Sequence, residues 1–383
     1  MFRLDRRLLN HLDWPLLMLT AVLPIIGLVV LYSAGYDLEA PSSTLSWLPF
    51  QFFSTASAKQ GIYFLMGLAA MVVGMTIPTN FIQRYAYVIY IVAITLLVLV
   101  LSVGNVVNGS RRWLSFGGFN LQPAELMKLG VIFAIAKFGT RSPPRRHSGY
   151  SIFELILPSL IIILPMVLIA KQPDLGSALA LGAVGYAMIL FIGVRTRTIL
   201  SIVFSFLVFA YPVWHRLHDY QQRRILVLFN PEIDPQGSGY HIIQSKIAVG
   251  SGAVFGKGFL RGTQTQLEFL PEHTTDFIFS VLAEEWGFAG CIFIIGLFAL
   301  LVLSILRVAH RSRDMFGTLV AFGITTQFFL HVSINIGMVL GLMPVVGIPL
   351  PLFSYGGSSL ITLMFALGVV QGISMRRTMF HER

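Results

Sequence analysis

The tightest constraint on this chain is the recurrence of apolar runs about as long as a bilayer is thick. The first, residues 14–34, carries no Asp, Glu, Lys or Arg over 21 residues. At about 1.5 Å of rise per residue, a helix of that length crosses the hydrocarbon layer. Ten such candidates follow one another: residues 14–34, 61–78, 85–103, a short one at 124–138, 152–170, 175–194, 198–214, 277–306, 316–342 and 352–374. Composition agrees, since 55% of the 383 residues are hydrophobic and only 11% charged, against about 25% charged in a soluble domain. The expectation is an all-α polytopic membrane protein with one integral domain over 1–383. Arg3, Arg6 and Arg7 before the first run resemble a signal-peptide start, but the run is long enough to stay as a span.

Ten spans put both termini on one side. Assigning them to the cytoplasm gathers there Arg3, Arg6, Arg7, Arg84, Lys137, Arg141, Arg145, Arg146, Arg195, Arg197, Arg307, Arg311, Arg313, Arg376, Arg377 and Arg383, 16 of the 27 Lys and Arg residues, as the positive-inside rule asks. The outer face then holds the 34–60 connection, residues 104–123, the 171–174 turn, a large loop at 215–276 between spans seven and eight, and 343–351. The net charge of +10 is dispersed among membrane segments, which excludes the clustered basic face of a nucleic-acid binder. Cys291 is the single cysteine and lies in an apolar run, so it packs as a small hydrophobe and no disulfide or cysteine metal site is available. No internal repeat of the kind common in secondary transporters is evident.

Residues 267–287, LEFLPEHTTDFIFSVLAEEWG, run from an acid-bearing loop straight into an apolar helix. Thr274 and Thr275 are candidate caps and Asp276 a first-turn acid that complements the helix dipole. The alternative is a carboxylate held at the water–lipid boundary for chemistry. Glu284 and Glu285 fall roughly 12–14 Å further along the same helix, a depth at which a carboxylate needs a wet cavity or a cation such as Lys128. His273 reads as a loop hydrogen-bonder. No His-x-x-x-His pair or carboxylate cluster marks a tight metal site.

In NGSRRWLSFGGFNLQPAELMK (108–128), Glu125 and Lys128 share one helical face and can pair inside the bundle. Such a pair serves either function or helix packing. Arg111 and Arg112 can bind phosphate or anchor at the headgroups beside Trp113. The Asn-Gly-Ser sequon at 108–110 is weak and set aside. In KQPDLGS (171–177), Asp174 reads equally as a helix cap and as a site acid. The large loop balances six basic side chains (Arg216, Arg223, Arg224, Lys246, Lys257, Arg261) against six acids (Asp219, Glu232, Asp234, Glu268, Glu272, Asp276). Its first half reads as turns, and IIQSKIAV as a short surface helix. GSGAVFGKG lacks the Walker spacing, so it carries no nucleotide site. Residues 335–359, NIGMVLGLMPVVGIPLPLFSYGGSS, place prolines, glycines and the polar Ser354 and Tyr355 at membrane depth, which predicts a cavity wall or re-entrant turn.

Taken in order, RRWLSFGGFNLQPAELMK, KQPDLGSAL, GSGYHIIQSKIAVGSG, LPEHTTDFIFSVLAEEWG and NIGMVLGLMPVVGIPLPLFSYGGSS resemble the SEDS family (shape, elongation, division and sporulation) across essentially the whole chain. The NIGMV and PVVGIPLPL wording is closer to its elongation branch, the rod-shape-determining peptidoglycan glycosyltransferases. The resemblance implies a ten-span enzyme of the bacterial cytoplasmic (inner) membrane with an extracytoplasmic active face. Its substrate would be lipid II, an undecaprenyl-pyrophosphate-linked disaccharide pentapeptide. Partners would be a class B penicillin-binding transpeptidase, the elongation machinery and membrane lipid, with no nucleic acid. The family's key acid falls on Asp276, expected as general base for an inverting displacement. Arg111, Arg112, Lys128, Lys246 and Arg261 are candidates to stabilise the departing pyrophosphate, and Glu125, Asp174, Glu284, Glu285, Ser354 and Tyr355 candidates to line the cavity. A divalent cation (Mg or Mn) is compatible but demanded by no motif. A lipid II flippase and a non-catalytic scaffold for the penicillin-binding partner are the competing classes.

Overall fold

The computed structural model describes residues 12–36, 56–107, 110–116, 119–144, 149–216, 219–234, 237–267, 269–270 and 272–376. Arg3, Arg6, Arg7, Asn108, Arg145, Arg146, Glu268, Arg377, Arg383 and most of the 34–60 connection lie outside them. Ten helices occupy the expected runs: α1 (Trp14–Ala34), α2 (Ala56–Thr76), α3 (Thr79–Val103), α4 (Pro123–Arg141), α5 (Ile156–Ala170), α6 (Leu175–Ile192), α7 (Thr196–Trp214), then α11 (Ile278–Arg311), α12 (Met315–Val339) and α13 (Gly357–Arg376). Seven of them, α1, α2, α3, α6, α11, α12 and α13, are long and apolar enough to cross a membrane. Both α5 and the 196–209 part of α7 are shorter apolar helices. Helix α4 carries Glu125, Lys128 and Lys137 and is buried almost throughout, which makes it the central post of the bundle. Neighbouring helices shield its charges from lipid. The apolar runs miss the first turns of α2 and α3, because Lys59 and Arg84 interrupt the hydrophobic string without interrupting the helix.

Aspartates start three of these helices. The Asp13, Asp174 and Asp314 side chains accept from the amides of Leu16 (3.3 Å), Ser177 (3.1 Å) and Gly317 (2.9 Å), satisfying donors that have no intrahelical partner. Between α3 and α4 the chain adds a small antiparallel sheet, β1 (Asn105–Val107), β2 (Ser110–Phe116) and β3 (Phe119–Leu121), in the order β1-β2-β3.

The large loop differs from expectation. Residues 219–229 form a helix, α8 (Asp219–Phe229), where turns were expected; DYQQRR is rich in helix formers and RILVLF supplies an apolar face. The short helix expected at IIQSKIAV is α9 (Ser238–Ser251), and it is not confined to the surface. Ile242, Ser245 and Ala248 are buried. The Ser245 hydroxyl donates to the Val339 carbonyl (2.7 Å) and lies 2.9 Å from Ser280 Oγ, so Ser280 is the donor in that second bond. A single turn, α10 (Thr263–Gln266), follows.

Helix α11 is two helices. Gly287 has φ 67° and ψ −165°, a conformation that L side chains with a Cβ avoid. The Phe288 and Ala289 amides donate not to their own helix but to the carbonyls of Ala253 and Val254, both at 3.0 Å. In return, the Lys257 and Gly258 amides donate to the carbonyls of Glu284 and Glu285, both at 3.0 Å. Phe279 and Ala283 share an apolar crevice with Cys291, Ile292 and Ile295. A straight helix would separate Phe279 from Ile295 by about 24 Å, so the segment 278–286 folds back along 288–311. The second segment alone rises about 36 Å and suffices to cross. The expected span 277–306 therefore begins after Gly287, because the apolar string does not register the reversal.

Helices α2 and α13 form the closest helix pair. A Cβ on Gly368 would lie 2.1 Å from the Met71 carbonyl, whereas one on Gly296 would meet nothing within 4 Å. Gly368→Val is expected to destabilise the detergent-solubilised protein by about 1–3 kcal/mol, the usual range for overpacking. Gly296→Ala should leave the thermal midpoint unchanged or slightly raised. A midpoint unmoved by Gly368→Val would refute the close packing.

Candidate active site

The fold-back carries Asp276 to the end of α12. Its carbonyl accepts from Asn335 Nδ2 at 2.8 Å, and the same amide group donates to the Ile348 carbonyl at 2.9 Å. The Tyr355 amide donates to the Thr274 carbonyl at 3.0 Å. The turn before α11 is thereby clamped between α12 and the irregular segment 340–356, the re-entrant wall that the prolines predicted. Neither threonine caps the helix. Phe277 occupies the cap position without a side-chain bond, and the Thr275 hydroxyl donates to the Glu272 carboxylate at 3.0 Å. Asp276 lies against Gly347, and its carboxyl makes no hydrogen bond among the described residues. The bland reading of Asp276 as a dipole-complementing first-turn acid thus loses its structural basis.

Enclosure has a chemical effect. The side chain keeps a solvent-accessible edge, but protein surrounds most of the carboxyl. Burial, reinforced by the Glu272 and Asp174 carboxylates and opposed by Arg112, pushes the Asp276 pKa up to about 7. Arg112 reaches this group from β2. Its guanidinium donates to the Gln172 carbonyl (3.1 Å) and the Pro173 carbonyl, with Asp174 Oδ2 at 3.9 Å. Asp174 therefore caps α6 and also pairs with Arg112. Three of the expected residues, Arg112, Asp174 and Asp276, thus come together.

A second group lies one turn down α12 from Asn335, about 6 Å by helical rise. Lys128 Nζ donates to Glu125 Oε1 at 2.7 Å and sits 3.4 Å from His331 Nε2, with all three residues buried. Breaking such a pair by removing one partner costs about 3–5 kcal/mol.

Glu284 and Glu285 are not deeper than Asp276; they sit at the reversal. The cation that meets Glu284 is Lys257 (2.6 Å), not Lys128, because the fold-back turns Glu284 toward the 252–264 loop. Thr263 Oγ1 (3.0 Å) and the Gln264 amide (3.1 Å) also donate to Glu284. Glu285 accepts from the Ser33 hydroxyl of α1. Ser354 is buried and its Oγ accepts from the Leu350 amide at 2.8 Å. Tyr355 packs its ring 6.5 Å from that of Tyr63. Gln60 of α2 holds this stretch at both ends, donating to the Ser354 carbonyl and accepting from the Gly356 amide. Arg111, Lys246 and Arg261 are exposed, with Arg111 making one long contact to the Leu101 carbonyl (3.5 Å). His273 Nδ1 bonds the Leu270 carbonyl at 2.8 Å, as expected. Among the described residues no three His, Cys, Asp or Glu side chains gather as for a metal ion.

Sequence reasoning missed Lys257, Asn335 and Gln60 as parts of this machinery. Lys257 was visible as a basic residue on the face that should be depleted of them, but its partner depends on the fold-back. Gln60 fell one residue outside an apolar run.

Because Asp276 titrates near 7 in the fold and near 4 unfolded, the folded protein binds the extra proton between those values. Stability therefore falls as pH rises through that window. Asp276→Asn removes the penalty, so the variant should be more stable than wild type at pH 8 by on the order of a few kcal/mol. The gain should vanish near pH 4. Unfolding in detergent at both pH values measures it, and equal stability at pH 8 would contradict the buried, raised carboxyl.

With that geometry established, the relatives are informative. Residues 13–379 match the family described as cell cycle protein, which groups FtsW, RodA and SpoVE. The chain is 40% identical over 377 residues to peptidoglycan glycosyltransferase MrdB of Escherichia coli K12, covering 97% of this chain and 96% of that protein. A chain from a structure titled "Structural coordination of polymerization and crosslinking by a peptidoglycan synthase complex" superposes with TM-score 0.79 at 31% identity, over 96% of this chain and 99% of that one. The crystal structure of Thermus thermophilus rod shape determining protein RodA superposes with TM-score 0.69 at 29% identity, over 96% and 98%. This integral membrane protein belongs to the SEDS family of FtsW, RodA and SpoVE proteins.

Proposed function

We propose that this protein is a peptidoglycan glycosyltransferase that polymerises lipid II into glycan strands during cell elongation, with Asp276 as the general base. Full-length similarity to MrdB and RodA supports the activity. The observation that carries the assignment of the base is an enclosed carboxyl with no hydrogen-bond partner among the described residues, its pKa raised to about 7. A base poised near the working pH combines a large ionised fraction with useful proton affinity.

In this reading Asp276 takes the proton from the acceptor sugar hydroxyl as that oxygen attacks the anomeric carbon of the donor. The bond to undecaprenyl pyrophosphate breaks in the same displacement, and the configuration inverts. The exposed Arg111, Lys246 and Arg261 supply positive charge for the leaving pyrophosphate. Arg112 acts from its anchored position beside Asp174, biasing Asp276 toward its ionised form. Lys128 is already neutralised by Glu125, so it supports the interior beneath the site and does not receive phosphate. An apolar groove of about 480 Å³ between α2, α3, α4 and α13, lined by Ala70, Ile89, Leu129, Phe133 and Phe365 among others, suits a polyprenyl chain in size and chemistry.

Asp174, Glu272 and Asp276 are hard oxygen donors of the kind a divalent ion takes, but Arg112 already pairs with Asp174, and among the described residues no three donors converge. A protein-held ion does not fit this arrangement; Mg²⁺ or Mn²⁺ instead enters as counter-ion of the pyrophosphate. In this reading the loop-rich end faces outward; the Arg- and Lys-bearing ends of α3, α4, α7, α11 and α13 lie opposite it, which by the positive-inside rule supports a cytoplasmic-membrane location with an extracytoplasmic site. The class B penicillin-binding transpeptidase is the partner that cross-links the product.

The test is polymerisation of purified lipid II in detergent, where no membrane separates two sides and a flippase makes no polymer. Asp276→Asn should fold normally and lower the rate about 10²- to 10⁴-fold. Wild-type rates from that variant would remove the general-base role, and no polymer from the wild-type protein, with or without added divalent ion, would remove the enzyme assignment.

A further inference from the structure

The segment that carries Asp276 is detached from the span that follows it. Nine residues, 278–286, form a helix too short to be stable alone, and the reversal at Gly287 cuts them off from 288–311. Something other than helical continuity must fix their position. Asn335 and Tyr355 hold the start of this short helix through the carbonyls of Asp276 and Thr274, and the contacts at the reversal hold its other end. Glu284 is completely buried and its Oε1 receives Lys257 Nζ, Thr263 Oγ1 and the Gln264 amide. Lys257 Nζ also bonds Thr263 Oγ1 at 2.9 Å, closing a three-member ring of polar contacts. The fit leaves no slack: a Cβ on Gly252 or Gly256 would lie 1.9 or 2.0 Å from the carbonyls of Ala283 or Glu285. Ser280 and Glu284 are four residues apart, so one face of this short helix carries the tie to α9 and the tie to Lys257, and Asp276 sits in the turn that leads into it.

We propose that Glu284 and Lys257 are positioning residues whose half-buried ion pair locks the fold-back of α11 and so helps hold the Asp276 carboxylate in its recessed place. Neither touches substrate. The proposal rests on the reading of Asp276 as the general base. Loosening the pair lets the short helix tilt about Gly287 and swings Asp276 outward, away from its protein surroundings and from Asp174, Glu272 and Arg112, the charged groups that face it.

The test uses the purified full-length chain with lipid II in detergent, comparing wild type, Glu284→Gln, Lys257→Met and Asp276→Asn from pH 5.5 to 9. In the wild type the acid limb of the rate profile should fall near pH 7. Glu284→Gln and Lys257→Met should each lower kcat about ten- to a hundredfold, the scale of a catalytic group misplaced by about 1 Å, with KM within about twofold. The acid limb should move toward the ordinary carboxylate range, and Lys257→Arg should recover most of the rate. Should Glu284→Gln not fold, Lys257→Met decides, because Lys257 is partly exposed. Unchanged kcat and acid limb in the variants, or a lower melting temperature as the sole effect, would overturn the proposal while leaving an inactive Asp276→Asn to uphold the base. A fully active Asp276→Asn would instead overturn the reading beneath it.

Discussion

Backbone hydrogen bonding at the Gly287 reversal is the constraint on which the rest of the site depends. A helix interrupted near the bilayer exposes amides and carbonyls that lipid cannot satisfy. Here the 252–258 loop is inserted so that the carbonyls of Glu284 and Glu285 and the amides of Phe288 and Ala289 all find partners. That exchange permits the chain to double back, and the doubling back brings Asp276 beside Asn335. Only glycine at 287 allows it, since the φ there is positive and a Cβ would lie 2.3 Å from the Gly256 amide nitrogen.

Charge placement follows from the same architecture. Helix α4 brings Glu125 and Lys128 into the bundle as a matched pair and sets them beside His331, while Asn335, one turn on, braces the backbone of Asp276. Asp276 itself has no such match. Its nearest charges include two carboxylates and one guanidinium already shared with Asp174. A carboxyl in that setting holds its proton longer than one in water, which costs stability at neutral pH and confers basicity. Glu125 and Lys128 neutralise each other, and Lys257 neutralises Glu284; Asp276, with no ion-pair partner among the described residues, is the carboxyl available for chemistry.

The segment 340–356 completes the enclosure without being helical. Asn335 holds Ile348, Ser354 holds Leu350, and Gln60 holds Ser354 and Gly356. Side-chain amides and a hydroxyl thus do what a helix would do for its own backbone. The wall is rigid for that reason and can shape a cleft.

Much of this was legible in the chain itself. Apolar runs located the ten long helices in order, seven of them long and apolar enough to cross a membrane, because the cost of exposing backbone and charge to lipid leaves few alternatives. The spacing of Glu125 and Lys128 fixed their pairing, because helical geometry is local. Asp174 as a cap, the re-entrant wall at 335–359 and the candidacy of Asp276 were readable for similar reasons. Tertiary structure decided what depends on distant segments meeting. Lys257 rather than Lys128 neutralises Glu284, Asp276 rather than Glu284 is drawn back beside α12, and Arg112 reaches Asp174 across a small sheet. A sequence records the glycine that allows a reversal, but which loop fills the gap and which charges then face one another is set by packing alone.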